Sequence, residues 1–367
     1  MESGDYLVTE LEQNDIHKLI NLRKHLYDNT EFVSTEFILW QLDDNPAGRA
    51  INLVCYDNKN EIVGEHWFIP TKYKIREKEL LGSLGANALV HKDHRKKNIF
   101  IRLEKLSVEE CQNKSVLFSL FVPNAFTFKA LVNKLTNKDV GEIPLLIFPV
   151  NINKLVDYKF KNLFTRILVS LSVKLILLAM KLIANKSKYS SNIVISDTDH
   201  FEESINRFWH SVKNKFDCIT IRDYDYLKWR YKNLQNRKYR VLIAKSDNDI
   251  KGYLVFRITV FNGQKICVIM DYLFESSQTG LISGEMLLSR VKEESLKEDV
   301  SMICCLMIPK FQEFGALKKT GFLRVPKNIK PHPFHLVYQG HSNNIDEERT
   351  ISDIENWYWT FGDYDIF

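Results

Sequence analysis

The stretch Ala88-Leu89-Val90-His91-Lys92-Asp93-His94-Arg95-Lys96-Lys97-Asn98-Ile99-Phe100-Ile101-Arg102-Leu103 decides how this chain reads. It opens as an apolar run and breaks into a charged turn. It resumes with Ile99, Leu103 and Leu106 at the spacing of one helix face. A strand that passes through a basic turn into a helix N-terminus makes an anion site. The first helical N–H groups have no partner within the helix, and the macrodipole adds partial positive charge there. Arg95, Lys96 and Lys97 supplement that field. The plain alternative is a basic surface turn with no ligand.

Outward from this stretch, the preceding chain reads as a strand at Tyr6-Leu7-Val8 and an amphipathic helix through Ile16, Leu19, Ile20 and Leu22. Phe37 to Leu42 comes next, then a turn at Asn45-Pro46 and a strand from Ile51 to Tyr56. Asp57 to Asn60 is a hairpin turn that returns through Ile62-Val63-Gly64. A third strand precedes Gly82, and Gly85 to Val90 enters the opening stretch. After it, Val116 to Val122 is an apolar run closed by Pro123-Asn124. Phe126, Ala130, Leu131 and Leu135 then take helical spacing.

The second half repeats this plan. Tyr226 to Tyr231 matches Phe37 to Leu42, with Trp229 in the place of Trp40. Gly252 matches Gly64, and Pro309, Phe314, Ala316 and Leu317 match Pro123, Phe128, Ala130 and Leu131. Landmarks recurring at offsets of 186 to 189 residues argue for a duplicated α/β unit, against chance recurrence of strand-turn-strand patterns. The copies differ at the basic turn. Where the first has Asp93 to Asn98, the second has Glu275-Ser276-Ser277-Gln278-Thr279-Gly280, without a cation.

At Val90 to Phe100 the chain resembles the GNAT acyltransferases, whose loop after the fourth strand reads roughly V-x-x-x-x-R-x-x-G-x-G/A. Arg95 stands in the arginine position, Asn98 at the first glycine and Phe100 at the second. Asn is one of the few non-glycine residues that tolerate left-handed backbone angles. The order of elements is also that of the family, so the resemblance covers about 1–150 and 195–340. The chain looks like a tandem-GNAT protein of the type encoded among bacterial surface-polysaccharide genes. Its tail, Trp357 to Asp365, resembles the ending of such proteins.

The fold expected is therefore α/β (α+β), two GNAT-like mixed-sheet domains in tandem with the second copy degenerate. Residues 1–150 form the acyl-CoA-binding domain and 151–194 a linker with a long apolar helix. Residues 195–340 form the second domain and 341–367 an acidic, aromatic tail.

Composition narrows the classes. At 45% hydrophobic and 26% charged, the 367 residues suit a globular protein with a full core. A net charge of +5 is small for this length and gives no argument for nucleic acid, while it suits an anionic cofactor or a phosphorylated substrate equally well. Six scattered cysteines without a C-x-x-C pair indicate a reducing compartment and no zinc site. The acidic, polar start has no signal-peptide character, so a cytoplasmic location is expected. Residues 163–184 are the most apolar stretch, but Arg166, Lys174 and Lys181 interrupt it. Two readings stay open: a helix packed between domains, or one lying on the inner membrane face.

The resemblance implies an N-acyltransferase, with acetyl-CoA or another acyl-CoA as cofactor and no metal. It places the pantetheine arm along Ala88, Leu89 and Val90, and the pyrophosphate at Arg95, Lys96, Lys97, Asn98, Ile99 and Phe100. The amine would attack the thioester directly, beside the strand end at Val122 and the turn at Asn124. Glu65 is the candidate general base, with a solvated or salt-bridged position as its alternative; His91 reads as structural. Asp363, Asp365 and the carboxylate of Phe367 could close the site, or the tail could simply pack its aromatic residues. The acceptor expected is a small-molecule amine, an amino sugar on family analogy, with the oligomeric state open. Rival functions are a FemAB-like aminoacyl transferase and a non-catalytic binding protein.

Overall fold

The computed structural model describes residues 6–25, 27, 30–135, 137–151, 192–326, 333–342 and 346–364. The apolar segment 163–184, Asp365 and the carboxylate of Phe367 lie outside them. Among the described residues no helix is long and apolar enough to cross a membrane.

The first half runs β1 (Leu7–Glu10), α1 (Ile16–Lys24), α2 (Thr35–Leu42), β2 (Ile51–Tyr56), β3 (Ile62–Ile75) and β4 (Lys78–Val90). It continues with α3 (Ile99–Asn113), β5 (Phe118–Phe121), α4 (Ala125–Lys134), β6 (Lys138–Glu142) and β7 (Leu145–Pro149). The second half gives β8 (Ile193–Thr198), α5 (Ile205–Val212), β9 (Cys218–Thr220), α6 (Tyr224–Arg230), β10 (Arg240–Ser246), β11 (Asp249–Phe261) and β12 (Gln264–Phe274). Then come α7 (Gln278–Lys297), β13 (Met302–Leu306), α8 (Gln312–Lys319), β14 (Leu323–Arg324), β15 (His335–Gly340) and α9 (Glu348–Ile351). The halves have most of this order in common, with β9 lacking a counterpart in the first.

Strands β2 and β3 are buried almost throughout because helices cover both of their faces. On one face Leu19, Leu22, Phe37 and Trp40 pack on Val54, Trp67 and Ile69. On the other, Ile99 and Leu103 of α3 pack on Leu53, Cys55 and Val63. Gly64 permits that contact, since a Cβ there would stand 2.9 Å from Cγ2 of Ile99. Gly252 is also crowded, but by the paired strand: a Cβ there would stand 2.8 Å from Cβ of Phe274 and 2.9 Å from Leu273 O.

The two sheets exchange a strand. Read from one edge, the first is β1-β2-β3-β4-β5-β15-β6 and the second β8-β10-β11-β12-β13-β7-β14. Each half thus sends its last strand between two strands of the other. The division at 150 and 195 follows the chain, while the sheets cross it. Strand β9 also pairs with the far end of β3.

Trp40 and Trp229 lie at the seam. Each indole N–H donates to the other's backbone carbonyl, at 2.8 and 3.0 Å, and the rings stack at 5.2 Å. A reciprocal pair of this kind marks a local two-fold relation between the copies. Glu31 of the first half accepts from Arg237 and Arg257 of the second, all three buried. Tyr239 accepts from Arg230 and Arg237. Burial raises its hydroxyl pKa, but the guanidinium groups of Arg237, Arg230 and Arg257 outweigh this and bring it to about 8.

Past the exchanged strand β15, His341 is buried, with Nε2 2.6 Å from Ser119 Oγ. Ser119 is in turn 2.5 Å from Ser83 Oγ. Burial holds the imidazole down at about 4, against an ordinary value of 6.5. The unfolded chain takes up this proton more readily. Stability is therefore full above pH 6.5 and falls by about 1.4 kcal/mol per pH unit between there and pH 4. Urea unfolding of His341→Gln at pH 7 and pH 5 checks this. The variant is expected to lose the part of the pH dependence that the wild type shows in that window.

Candidate active site

The loop that follows β4 sits as the sequence placed it. A short 3-10 turn, Lys92–His94, precedes Arg95, Lys96 and Lys97, all exposed. Asn98 takes the left-handed conformation, φ 58°, and starts α3 without a side-chain cap. The first-turn N–H groups of α3 therefore receive no side-chain acceptor from this residue. The equivalent helix of the second copy, α7, is capped by Ser277 Oγ, which accepts from Gly280 N–H at 3.0 Å. One copy leaves its helix start available to an external anion; the other satisfies it internally.

Phe100 turns inward, with its ring 5.4 Å from that of His66 and packed against the cluster of Phe68 and Phe121. The aromatic ring at the second glycine position thus lies beneath the helix and not across the loop. Ile99 is buried against β3. Arg95 Nε donates to Val90 O at 3.3 Å, and Lys97 Nζ donates to Tyr6 Oη at 2.8 Å. His91 is tied back by its N–H to Val63 O at 2.8 Å.

Strands β4 and β5 run parallel and pair only over Ser83–Gly85 with Ser119–Phe121. Beyond Gly85, β4 continues to Val90 with β3 as its partner, and β5 has ended. Ala88, Leu89 and Val90 are half-buried along this parted edge. There β4 carries a bulge. Asn87, φ 48°, and Ala88 together face the single residue His66 of β3. A bulge takes backbone groups out of the ladder and re-aims them, as often occurs beside active sites. Asn87 Nδ2 donates to Gln41 Oε1 at 3.0 Å, anchoring the bulge to α2.

On the α2 side of this edge lies a narrow, partly open cleft between the two lobes, with about 30 Å³ of room for water-sized atoms. Trp40, Gln41, Thr71, Tyr73 and Leu84 line it from the first lobe; Tyr226, Trp229 and Arg230 line it from the second, with Gly362 and Asp363 of the tail. Desolvation raises the Tyr73 and Tyr226 hydroxyl pKa values well above the ordinary range, so both stay protonated. Composition and spacing gave no sign of this cleft, because its walls come from segments far apart in sequence.

Two expected site residues have other tasks. Glu65 is fully buried; Oε1 and Oε2 each accept from Arg23 at 2.9 Å, and Oε2 also accepts from Trp67 Nε1 at 2.7 Å. Glu65 does not line the cleft, and three donors hold its carboxylate, so it serves as a structural anion. This corrects the expectation of a general base there. Asn124 Oδ1 accepts from the N–H groups of Phe126 and Thr127, both at 3.0 Å, and caps α4 beside the end of β5. On the opposite face of β3, His66 Nδ1 lies 2.9 Å from Glu104 Oε2, both buried.

No model of a known protein family matches the chain, and no curated protein matches it by sequence. Solved structures do match in three dimensions. A GCN5-related N-acetyltransferase from Anabaena variabilis superposes with a TM-score of 0.59 at 9% identity, covering 92% of this chain and 73% of its own. The N-myristoyltransferase of Saccharomyces cerevisiae, solved with bound myristoyl-CoA, gives 0.60 at 13% identity, over 92% and 83%. A probable N-acyltransferase of unknown function from Enterococcus faecalis gives 0.61 at 9%, over 91% and 72%. The fold is that of the N-acyltransferases. At such identities the likeness extends to the path of the chain and carries no side-chain role with it. Within this N-acyltransferase fold, the parted β4–β5 edge and the inter-lobe cleft meet at Asn87 and Gln41.

Proposed function

We propose that the chain is an acyl-coenzyme A-dependent N-acyltransferase that acts on a primary amine, with acetyl as the group transferred. The observation that carries this reading is a combination present in one lobe only. An uncapped helix start in a basic loop adjoins a strand edge with no partner strand. These features fit a diphosphate attached to an extended amide-bearing arm: Arg95, Lys96, Lys97 and the first N–H groups of α3 would hold the diphosphate. The main-chain groups of Ala88, Leu89 and Val90 would hold the arm. The coenzyme would supply the activated thioester.

The chain's own tasks are positioning, exclusion of water and charge stabilisation. The bulge at Asn87 and Ala88 offers backbone groups outside the ladder, suited to an oxygen that gains negative charge. Trp40, Trp229, Tyr73 and Tyr226 give the amine a largely dry approach. An amino sugar, nucleotide-linked and used in surface-polysaccharide synthesis, is the acceptor suggested by the resemblance. The six cysteines are unpaired and buried, which suits a reducing compartment such as the cytoplasm.

Calorimetry of the whole chain with acetyl-CoA tests the reading. One micromolar site per chain is expected. Two equal sites would refute the division of labour between the copies. No heat would favour the aminoacyl-transferase or binding-protein alternatives.

A further inference from the structure

In the second lobe the place corresponding to the cleft is filled by the chain itself. Strands β12 and β13 pair only over Cys267–Val268 with Ile303–Cys304 and then separate, as β4 and β5 do. The tail residues from Trp357 to Tyr364 lie against those parted ends. Tyr358 donates its hydroxyl to Tyr272 O of β12, and its ring packs on Phe216 at 4.6 Å and on Phe311, just past β13, at 5.2 Å. Trp357 faces the other way and meets Tyr73 of the first sheet edge-on at 5.6 Å. Gly362 sits so close that a Cβ would be 2.7 Å from Met270 O and 2.2 Å from Tyr231 Oη. Arg230 holds the carbonyl oxygens of Gly362 and Tyr364 at 2.7 and 2.8 Å.

This seat fixes the next side chain. Asp363 is 4% exposed and lines the inter-lobe cleft. Its Oδ2 accepts from Arg222 Nη2 at 2.7 Å, from Thr360 N at 2.9 Å and from Thr360 Oγ1 at 3.1 Å. Its Oδ1 is buried and has no hydrogen-bond partner. Arg222 is shared with a second buried carboxylate, Asp271, at 2.9 Å. One guanidinium thus serves two carboxylates. A buried carboxylate oxygen without a donor is costly, and a ligand that brings an N–H to it removes that cost. Trp40 and Trp229 stack on each other, and Arg230 and Arg222 already lie over Trp40 and Tyr226, so the carboxylate and not the rings is the group left to attract a cation. Arg230, on the same wall, is engaged with the tail carbonyls and with Tyr239 Oη at 3.1 Å.

We propose that the second lobe has become a seat for the tail, and that the seated tail presents Asp363 Oδ1 as the binding group for the acceptor's primary ammonium. This rests on the acyltransferase reading and adds the residue and charge state that select the acceptor. Asp363 is a specificity-determining residue here; no proton transfer is assigned to it.

Methylammonium and its neutral isostere methanol, small enough for the cleft, serve as probes, titrated by ligand-observed NMR into the full-length chain at pH 7. At least tenfold tighter binding of the ammonium to wild type is expected. Asp363→Asn should bring the two affinities together, and so should Gly362→Ala, which unseats the tail. Equal affinities in the wild type overturn the proposal without recourse to any variant. A wild-type preference that survives both substitutions overturns it as well. Acetyl-CoA is titrated in parallel. Coenzyme binding without ammonium preference would retire this proposal and leave the proposed function standing. Ammonium preference without coenzyme binding would keep the cleft assignment and retire the transferase.

Discussion

Glu65→Ala is expected to lower the unfolding free energy by about 3–5 kcal/mol, the range for removing one partner of a buried ion pair. Arg23 and Glu65 are both 0% exposed, and the substitution removes both of their mutual bonds. Arg23 would keep its bond to Phe32 O at 3.0 Å, while Trp67 Nε1 would lose the acceptor at 2.7 Å. The loss of a carboxylate that two charge-assisted bonds tie to a buried guanidinium sets the size of the effect. Arg23→Met combined with Glu65→Leu removes both charges and should therefore be much less destabilising than Glu65→Ala. Urea denaturation of the single and double variants measures this. A Glu65→Ala protein with wild-type stability and transfer activity lowered by orders of magnitude would restore the catalytic reading and refute the structural one.

Glu65 also shows where the sequence stops being informative. Strand alternation correctly puts Glu65 and His66 on opposite faces of β3. It does not say that helices cover both faces, α1 and α2 on one and α3 on the other. A polar residue on a strand covered on both sides must find a partner in the core, and that partner, Arg23, lies in α1. The repeat was legible because it is written in paired landmarks. Trp40 and Trp229 each lie on the helix before a strand hairpin and bond reciprocally.

The strand exchange was not legible. Leu145–Pro149 and His335–Gly340 are short strands whose own residues suit either sheet, and their choice is settled by long-range pairing. Asn98 could be read as left-handed from its residue type. The inward turn of Phe100 could not, since it depends on His66, Phe68 and Phe121 from other strands. The tail's aromatic packing was among the readings of the sequence, and Trp357, Tyr358 and Trp359 are each 0% exposed. The unpartnered oxygen of Asp363 needed coordinates.

Replacing Arg95, Lys96 and Lys97 together by alanine is expected to weaken acetyl-CoA binding by about 10–100-fold, because charge-assisted contacts to phosphate are the stronger class of hydrogen bond. The loop is exposed, so solvent screening holds each contribution well below that of a buried pair. The same exposure separates binding from folding: unfolding temperature should hardly move, since surface substitutions away from special features cost little. Salt gives a second signature. Raising ionic strength to about 1 M shortens the screening length to about 3 Å, so wild-type affinity should fall toward that of the variant. Arg95→Ala alone should give a smaller loss of the same kind. Gln278→Ala, at the matching turn of the second copy, should leave affinity unchanged, because Ser277 already caps that helix and Lys251 beside the turn is paired with Glu275 at 3.4 Å. Equal losses at the two turns would mean that both copies hold coenzyme. The asymmetry between an open helix start at Asn98 and a closed one at Ser277 would then have no functional meaning.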